Sequence, residues 1–236
     1  MTGLEHRRLI TVAHGTRHGD GNLVARSITA QAARRLGGVP HTTSYVELCK
    51  PLFARVMDEH AEPAIVVPLL LSTGHHIRQD LPEALNRQSA LAGPLGPHPL
   101  LAEAMCHRLS GSGARRGGSV VMVAAGSTDP AVDADLEVAR ALLQARWGAP
   151  VRLATITARG RRLAEVLPEA RAEGEVAVAP YLLAPGHFSE RSATEARRLG
   201  VEKVASVIGD HPLVAELVAR RYRAIASRTG VAAGAA

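Results

Sequence analysis

Short apolar runs alternate along the chain with amphipathic segments. The apolar runs lie at 9–13, 65–71, 120–124 and 176–183, and the amphipathic segments lie at 22–36, 51–60, 130–147 and 161–173. The apolar runs are rich in β-branched residues and do not alternate with polar positions, as is typical of strands covered on both faces of a parallel sheet. Strand followed by helix, repeated, predicts an α/β fold of small parallel sheets flanked by helices, with right-handed crossovers.

Aspartate and glycine residues mark the ends of two predicted helices. The helix over 22–36 is followed by Gly37 and Gly38, and the helix over 130–147 lies between Asp129 and Gly148. Aspartate is a good N-cap and glycine often follows the end of a helix, so we expect these helices to end there.

The chain repeats itself at a separation of about half its length. VAHGT at 12–16 recurs as VAAGS at 123–127, PLLLSTGH at 68–75 recurs as PYLLAPGH at 180–187, and LGPHPL at 95–100 recurs as IGDHPL at 208–213. Three matches at nearly one offset indicate a duplicated unit. A stretch rich in glycine and serine at 110–118 has the composition of a flexible linker, and the tail at 231–236 is expected to be disordered. We therefore predict two tandem similar domains, 1–112 and 119–230, of which the second is a degenerate copy.

Composition narrows the class of protein and of partner. With 236 residues, 46% hydrophobic and 21% charged, the chain has the composition of an ordinary globular protein. No apolar run reaches the length needed to span a bilayer, and aromatic residues, at 3%, offer little stacking surface for nucleic acid. We therefore expect neither a membrane nor a nucleic-acid partner, whereas the net charge of +6 leaves a small polyanion open.

The cysteines and the start of the chain indicate a compartment. Cys49 and Cys106 lie in different halves without the spacing of a metal site, and no secretory segment precedes Leu9. Both features favour a reducing, cytoplasmic setting.

Histidine and glutamate side chains follow three of the predicted strands. His14 comes directly after the first strand, Glu47 stands at the end of the next, and His75 and His76 lie in the loop after the run at 65–71. Parallel strands deliver these loops to one edge of the sheet, so we expect His14, Glu47 and one of His75 or His76 to converge. Such a set can hold a divalent cation or accept protons near neutral pH. Taken singly, His14 could instead hydrogen-bond within its loop, and Glu47 could be a solvated acid.

The second copy lacks all three groups. Ala125 stands opposite His14, Thr157 opposite Glu47 and Phe188 opposite His76, whereas His187 stands opposite His75. The glycines and strands are kept. Because independent structural residues need not vanish as a set, this asymmetry indicates that the three groups act together in the first domain.

Three segments resemble the signature of the sirohydrochlorin chelatases, the small class II tetrapyrrole metal chelatases. They are AHGTR at 13–17, VE at 46–47 with Pro51 four residues on, and VPLLLSTGHHIRQDLP at 67–82. The family motif Gly-x-His-x-x-x-Asp-x-Pro matches Gly74, His76, Asp80 and Pro82. The resemblance covers essentially the whole chain, including the degenerate second half typical of two-domain members.

The resemblance implies an enzyme that inserts a divalent metal into sirohydrochlorin, bound in a cleft between two facing α/β domains. Fe²⁺ or Co²⁺ would be a substrate, and no organic cofactor is expected. A monomer is implied because the fused halves supply within one chain the cleft that single-domain relatives build by dimerising. Iron, for siroheme synthesis, is favoured because the chain has no long histidine-rich tract like those of cobalt or nickel storage. Cobalt, for cobalamin synthesis, stays open.

The resemblance also implies roles for individual residues. His14 and His76 would bind the metal and accept protons, and Glu47 would assist both tasks. Three further residues would bind the tetrapyrrole, the arginines by pairing with its carboxylates: Arg17, Gly74 and Arg78.

The chain departs from the family pattern at two positions. Thr16 replaces the usual serine, and His75 stands where glycine or an apolar residue is frequent. The roles of the extra histidine and of His187 stay open.

Two other functions fit parts of the sequence. Arg17-His18-Gly19 spells the tripeptide of phosphatases and mutases that phosphorylate a histidine, but in that family it follows its strand directly, where this chain has His14. A non-catalytic tetrapyrrole or metal carrier could use the same scaffold, although retention of all three candidate groups favours an enzyme. A dinucleotide site is excluded because the glycines at 15, 19 and 21 have the wrong spacing.

Overall fold

The computed structural model describes residues 7–231 and divides them into two compact units. The first unit runs to Leu95 and includes the chain from Asp210 onwards, and the second is Gly96–Gly209. Each unit contains a parallel sheet flanked by helices, so the predicted α/β class is confirmed. The tail at 231–236 is predicted to be disordered, and its residues after 231 lie outside the described part of the chain.

The first unit has a four-stranded parallel sheet in the order β2-β1-β3-β4. Its elements are β1 (Arg8–Ala13), α1 (Gly19–Arg35), β2 (His41–Tyr45), α2 (Phe53–Glu59), β3 (Ala64–Pro68), a π-helical turn (His76–Asp80), α3 (Leu81–Ala84), β4 (Ala90–Leu91) and, after the second unit, α8 (Pro212–Val231). In the register, Ala13 pairs with Tyr45 of β2, and Val12 pairs with Pro68 of β3. The carboxyl ends of three neighbouring strands therefore lie side by side.

The second unit has a three-stranded parallel sheet in the order β6-β5-β7. Its elements are α4 (Pro99–Gly111), β5 (Ser119–Ala124), α5 (Ala131–Trp147), β6 (Val151–Thr155), α6 (Leu163–Arg171), β7 (Val176–Tyr181) and α7 (His187–Arg198). A single bridge from Val178 to Val204 stands where β4 pairs with β3 in the first sheet. The first strand of each repeat, β1 or β5, lies between the two strands that follow it in the chain.

The compact units and the sequence repeats have different boundaries. Helix α4, which ends the first repeat, packs on α5 and β7, whereas α8, which ends the second repeat, packs on α1 and β3. The two repeats have therefore exchanged their last helices. The expected ranges 1–112 and 119–230 follow the duplication, but the stretch at 110–118 lies within the second unit, because packing of α4 keeps both of its ends there.

Several ends of elements differ from the sequence-based expectation. The strands predicted over 65–71 and 176–183 end at Pro68 and Tyr181; Pro68 and Pro180 have no N–H for a ladder hydrogen bond, so pairing stops near them. Helix α1 begins at Gly19, three residues early. At α5 the N-cap is Pro130 rather than the predicted Asp129, although Asp129 Oδ1 accepts the N–H of Ala131 at 3.0 Å.

Buried hydroxyl groups join α1 to the first sheet. Thr29 Oγ1 donates to the carbonyl oxygen of Ala25 at 2.8 Å, so it accepts from Thr11 Oγ1 on β1 at 2.6 Å and from Thr43 Oγ1 on β2 at 2.8 Å. Thr11 and Thr29 are fully buried. These bonds fix the position of α1, and with it the loop between β1 and α1, because buried polar groups need partners.

Within residues 7–231, no helix combines the length and the apolar character that crossing a membrane requires.

Candidate active site

The ends of β1, β2 and β3 bring together His14, Glu47 and His76. His14 follows β1 directly, Glu47 lies two residues after β2, and His76 begins the π-helical turn after β3. His14 Nε2 is 3.4 Å from Glu47 Oε1, and the rings of His14 and His76 are 5.1 Å apart between centroids, at 76° to each other. The convergence expected from the parallel strands is therefore present, and one edge of the first sheet carries two imidazoles and a carboxylate.

The His14 ring lies between the Gly15 carbonyl oxygen and the Glu47 carboxylate. Its Nδ1 donates to the carbonyl oxygen of Gly15 at 3.3 Å, and because that oxygen only accepts, Nδ1 carries the proton. In the neutral ring Nε2 then has no proton and faces a second electron-pair donor, Glu47 Oε1. A separation of 3.4 Å matches two ligands that share one cation at about 2.1 Å from each. His14 and Glu47 are half exposed, so a hydrated ion can reach them.

Glycine at position 15 is required by the backbone of Glu47. The N–H of Glu47 donates to the carbonyl oxygen of His14 at 3.0 Å, which draws the two loops together. Gly15 has φ +96°, and a Cβ there would lie 1.9 Å from the carbonyl oxygen of Glu47. Since no other residue tolerates both the dihedral angle and the contact, Gly15 sets the distance between the two side chains.

Asp80 orients the His76 ring. His76 Nδ1 donates to Asp80 Oδ2 at 2.5 Å, so the proton of the neutral ring lies on Nδ1 and the lone pair on Nε2. His75 Nε2 lies 3.4 Å from the other oxygen, Asp80 Oδ1, and its side chain is 65% exposed. Asp80 belongs to the family motif without a predicted role of its own; its spacing of four residues from His76 in a helical turn is the signal in the sequence for this pairing.

Gly74 lies just before the π-helical turn and accepts its first hydrogen bonds. The Gly74 carbonyl oxygen accepts from the N–H groups of Ile77 and Arg78, at 3.1 and 3.2 Å. Arg78 and Arg17, the two arginines predicted to bind carboxylates, are exposed on the loops that carry His76 and His14. The tetrapyrrole-binding roles of Arg17, Gly74 and Arg78 stay predictions.

The loop after His14 is held by side-chain hydrogen bonds. Asn22 Oδ1 accepts the N–H of Thr16 at 3.2 Å, and Asn22 Nδ2 donates to the Thr16 carbonyl oxygen at 2.7 Å. Below the loop, the buried Tyr45 hydroxyl donates to the carbonyl oxygen of Asn22 at 3.3 Å, and burial raises the pKa of this phenol. The hydroxyl therefore stays protonated and keeps its donor role.

The second repeat reproduces this backbone without the reactive side chains. The N–H of Thr157 donates to the carbonyl oxygen of Ala125 at 2.9 Å, as Glu47 does to His14. Gly126 has φ +88°, and a Cβ there would lie 2.2 Å from the Thr157 carbonyl oxygen. The sequence pairing of Ala125 with His14 and of Thr157 with Glu47 is therefore confirmed.

Metal coordination by all three residues stays a prediction. Among residues 7–231, no group of three or more His, Cys, Asp or Glu side chains is gathered closely enough to hold a metal ion. His14 and Glu47 lie at the separation of two ligands, and His76 lies beside them with an oriented ring.

Comparison with known proteins agrees with the site and the repeat. The CbiX family model matches residues 8–112 and again 119–225. The sirohydrochlorin ferrochelatase of Bacillus subtilis (strain 168) is 26% identical over 94% of this chain and 92% of its own length. SirB from Bacillus subtilis with Fe³⁺ superposes with a TM-score of 0.81 at 26% identity, over 95% of this chain and 97% of SirB.

A second solved structure shares the fold. It is SirB from Bacillus subtilis subspecies spizizenii in complex with cobalt, with a TM-score of 0.74 at 24% identity over 94% of this chain and 96% of that one. Because the family model matches most of the chain, once in each repeat, the chain belongs to the CbiX family.

Proposed function

We propose that the chain is a sirohydrochlorin ferrochelatase, which inserts Fe²⁺ into sirohydrochlorin to form siroheme. The observation that carries this proposal is the meeting of His14, Glu47 and His76 at adjacent strand ends in the first repeat alone. Family membership and the 26% identical relative of that name support the assignment of substrate and metal.

The site residues supply what metal insertion needs. The reaction replaces two pyrrole N–H bonds by metal–nitrogen bonds and releases two protons, with no change in oxidation state. His14 Nε2 and Glu47 Oε1 bind the incoming ion as water leaves it, and of the two released pyrrole protons one passes to the His76 Nε2 lone pair and the other to solvent water. A partial, exposed ligand set suits this task, because the ion must leave for the macrocycle.

The arginines near the site suit a polyanionic substrate. Sirohydrochlorin carries many carboxylates, and the exposed guanidinium groups of Arg17 and Arg78 can each bind one through paired hydrogen bonds. The net charge of +6 adds attraction at long range. Gly74 contributes by opening the turn that carries Arg78 and His76.

A metallation assay tests the proposal. Absorbance of sirohydrochlorin is followed in single turnover with Fe²⁺, Co²⁺ or Ni²⁺, for the wild type and for His14→Ala, Glu47→Ala and His76→Ala. We expect the highest rate with Fe²⁺, and rates at least about 100-fold lower in the three variants. The matched control is His18→Ala, which removes an exposed histidine of the same loop and leaves the rate unchanged.

Each alternative function predicts a different result in this assay. A carrier binds sirohydrochlorin without the spectral change of metallation, and a histidine phosphatase loses activity in His18→Ala. A higher rate with Co²⁺ than with Fe²⁺ would instead assign the protein to cobalamin synthesis. Equal rates in all variants would overturn the site assignment.

We further propose that the protein acts as a monomer in a reducing cytoplasm. The fusion of two repeats in one chain supports the first, and the free thiols of Cys49 and Cys106 support the second. Light scattering of the purified chain checks the mass, and a dimer would contradict the proposal.

A further inference from the structure

The loop after β2 has the same backbone as its counterpart after β6. In the first, the N–H of Tyr45 donates to the Pro51 carbonyl oxygen at 3.0 Å; in the second, the N–H of Thr155 donates to the Arg161 carbonyl oxygen at 2.8 Å. Each loop contains one non-glycine residue with positive φ, Leu48 at 62° and Ala158 at 53°. Leu48 therefore corresponds to Ala158, and the residues before α2 and α6, Leu52 and Arg162, correspond as well.

The loop of the second repeat is closed by its own arginine. Arg162 Nη1 donates to the carbonyl oxygens of Thr155 and Thr157 at 3.3 and 3.2 Å, and Nη2 donates to that of Ala158 at 2.8 Å. The position with positive φ holds a small residue, and the guanidinium group donates to three carbonyl oxygens of the loop. The hydrogen-bond acceptors of this loop are therefore paired within the loop.

The loop of the first repeat, which carries Glu47, instead exposes two leucines. Leu48 is 48% exposed and Leu52 is 37% exposed. A leucine with positive φ is unfavourable in the free protein, and so is an exposed apolar side chain. The second repeat keeps the backbone without either leucine, so the fold does not require them. Two exposed leucines that the fold does not require, in the loop that carries Glu47, indicate a role in binding.

We infer that Leu48 and Leu52 form an apolar surface that packs against the flat face of the tetrapyrrole next to the metal-delivering pair. This inference rests on the proposed function. A tetrapyrrole has an apolar ring face and charged edges, so leucines in contact with the face complement arginines that pair with the carboxylates.

Two variants of Leu48 separate binding from folding. Leu48→Ala removes the contact, and Leu48→Gly removes the contact and the strain together, so the glycine variant has a melting temperature no lower than that of the wild type. For both we expect the Kd of metal-free sirohydrochlorin and the KM to rise about tenfold, while kcat stays within about twofold. Leu52→Ala raises the same Kd to a smaller extent.

The control variant is Val138→Ala on α5, since Val138 is 49% exposed but lies outside the loops of the site. It leaves Kd and KM unchanged. A wild type that does not metallate sirohydrochlorin would overturn the proposed function. A wild type that does metallate it, with unchanged Kd in Leu48→Ala and Leu48→Gly, would overturn this inference alone.

Discussion

The Gly15 backbone lies directly against the carbonyl oxygen of Glu47, with space for hydrogen but not for carbon. Gly15→Ala must therefore push the Glu47 loop away from His14. We expect a loss of about 3 kcal/mol or more in the free energy of unfolding, together with a lower metallation rate per folded molecule. Urea unfolding and the rate at saturating metal measure the two effects.

The second repeat supplies a matched control for that variant. Gly126→Ala creates the same clash, with the carbonyl oxygen of Thr157, where no reactive group follows. We expect a similar loss of stability but a normal rate per folded molecule. An equal loss of rate in both variants would contradict the view that Gly15 positions the reactive pair.

Asp80 sets which nitrogen of His76 carries the proton. Asp80→Ala frees the ring, so we expect kcat to fall about 10-fold to 100-fold with a smaller change in KM. Asp80→Asn retains an oxygen that accepts from Nδ1 and should recover most of the rate. Nitrogen NMR of the His76 ring reports the tautomer, and an unchanged spectrum in Asp80→Ala would contradict this role.

The buried threonine cluster makes a separate prediction about stability. Thr29→Val leaves the hydroxyls of Thr11 and Thr43 without their acceptor, at a cost of about 1–3 kcal/mol in the free energy of unfolding. In the double variant Thr11→Val/Thr29→Val the orphaned Thr11 hydroxyl is gone, so the combined loss should be smaller than the sum of the single losses. Additive losses, measured by thermal unfolding, would show that the two hydroxyls act independently.

The exchange of helices predicts how a truncated chain behaves. The fragment 1–112 contains α4, which belongs to the second unit, and lacks α8, which packs on α1 and β3. Its exposed apolar surface should prevent a folded monomer, so we expect dimers, aggregates or an unfolded chain. Circular dichroism with light scattering checks this, and a folded monomer of the fragment would contradict it.

Much of the fold could be predicted because its signals are local. Runs such as Leu9–Ala13 are apolar on both faces, as buried parallel strands must be, and the repeated glycines mark the same turn twice. The convergence of His14, Glu47 and His76 followed from a general property of parallel sheets, whose strand ends share an edge. The resemblance to the sirohydrochlorin chelatases, drawn from the same residues, is confirmed by the family match.

Other features depend on contacts between residues far apart in the chain. The sequence could not choose between His75 and His76 with certainty, because the choice depends on the Asp80 carboxylate and on the His14 ring. Nor did it single out Leu48, whose positive φ depends on how the loop closes on Tyr45.

The sequence by itself determined the α/β class, the duplication and the residues that reach the edge of the first sheet. These features depend on the hydrophobic pattern and on the direction of each strand, and both can be read from short stretches of sequence. Only the tertiary structure decided which helix completes which unit and how closely the reactive groups approach. Those outcomes depend on the packing of α4 and α8 and on a backbone contact at Gly15. No short stretch of sequence shows on which unit a helix packs or how far apart two loops lie.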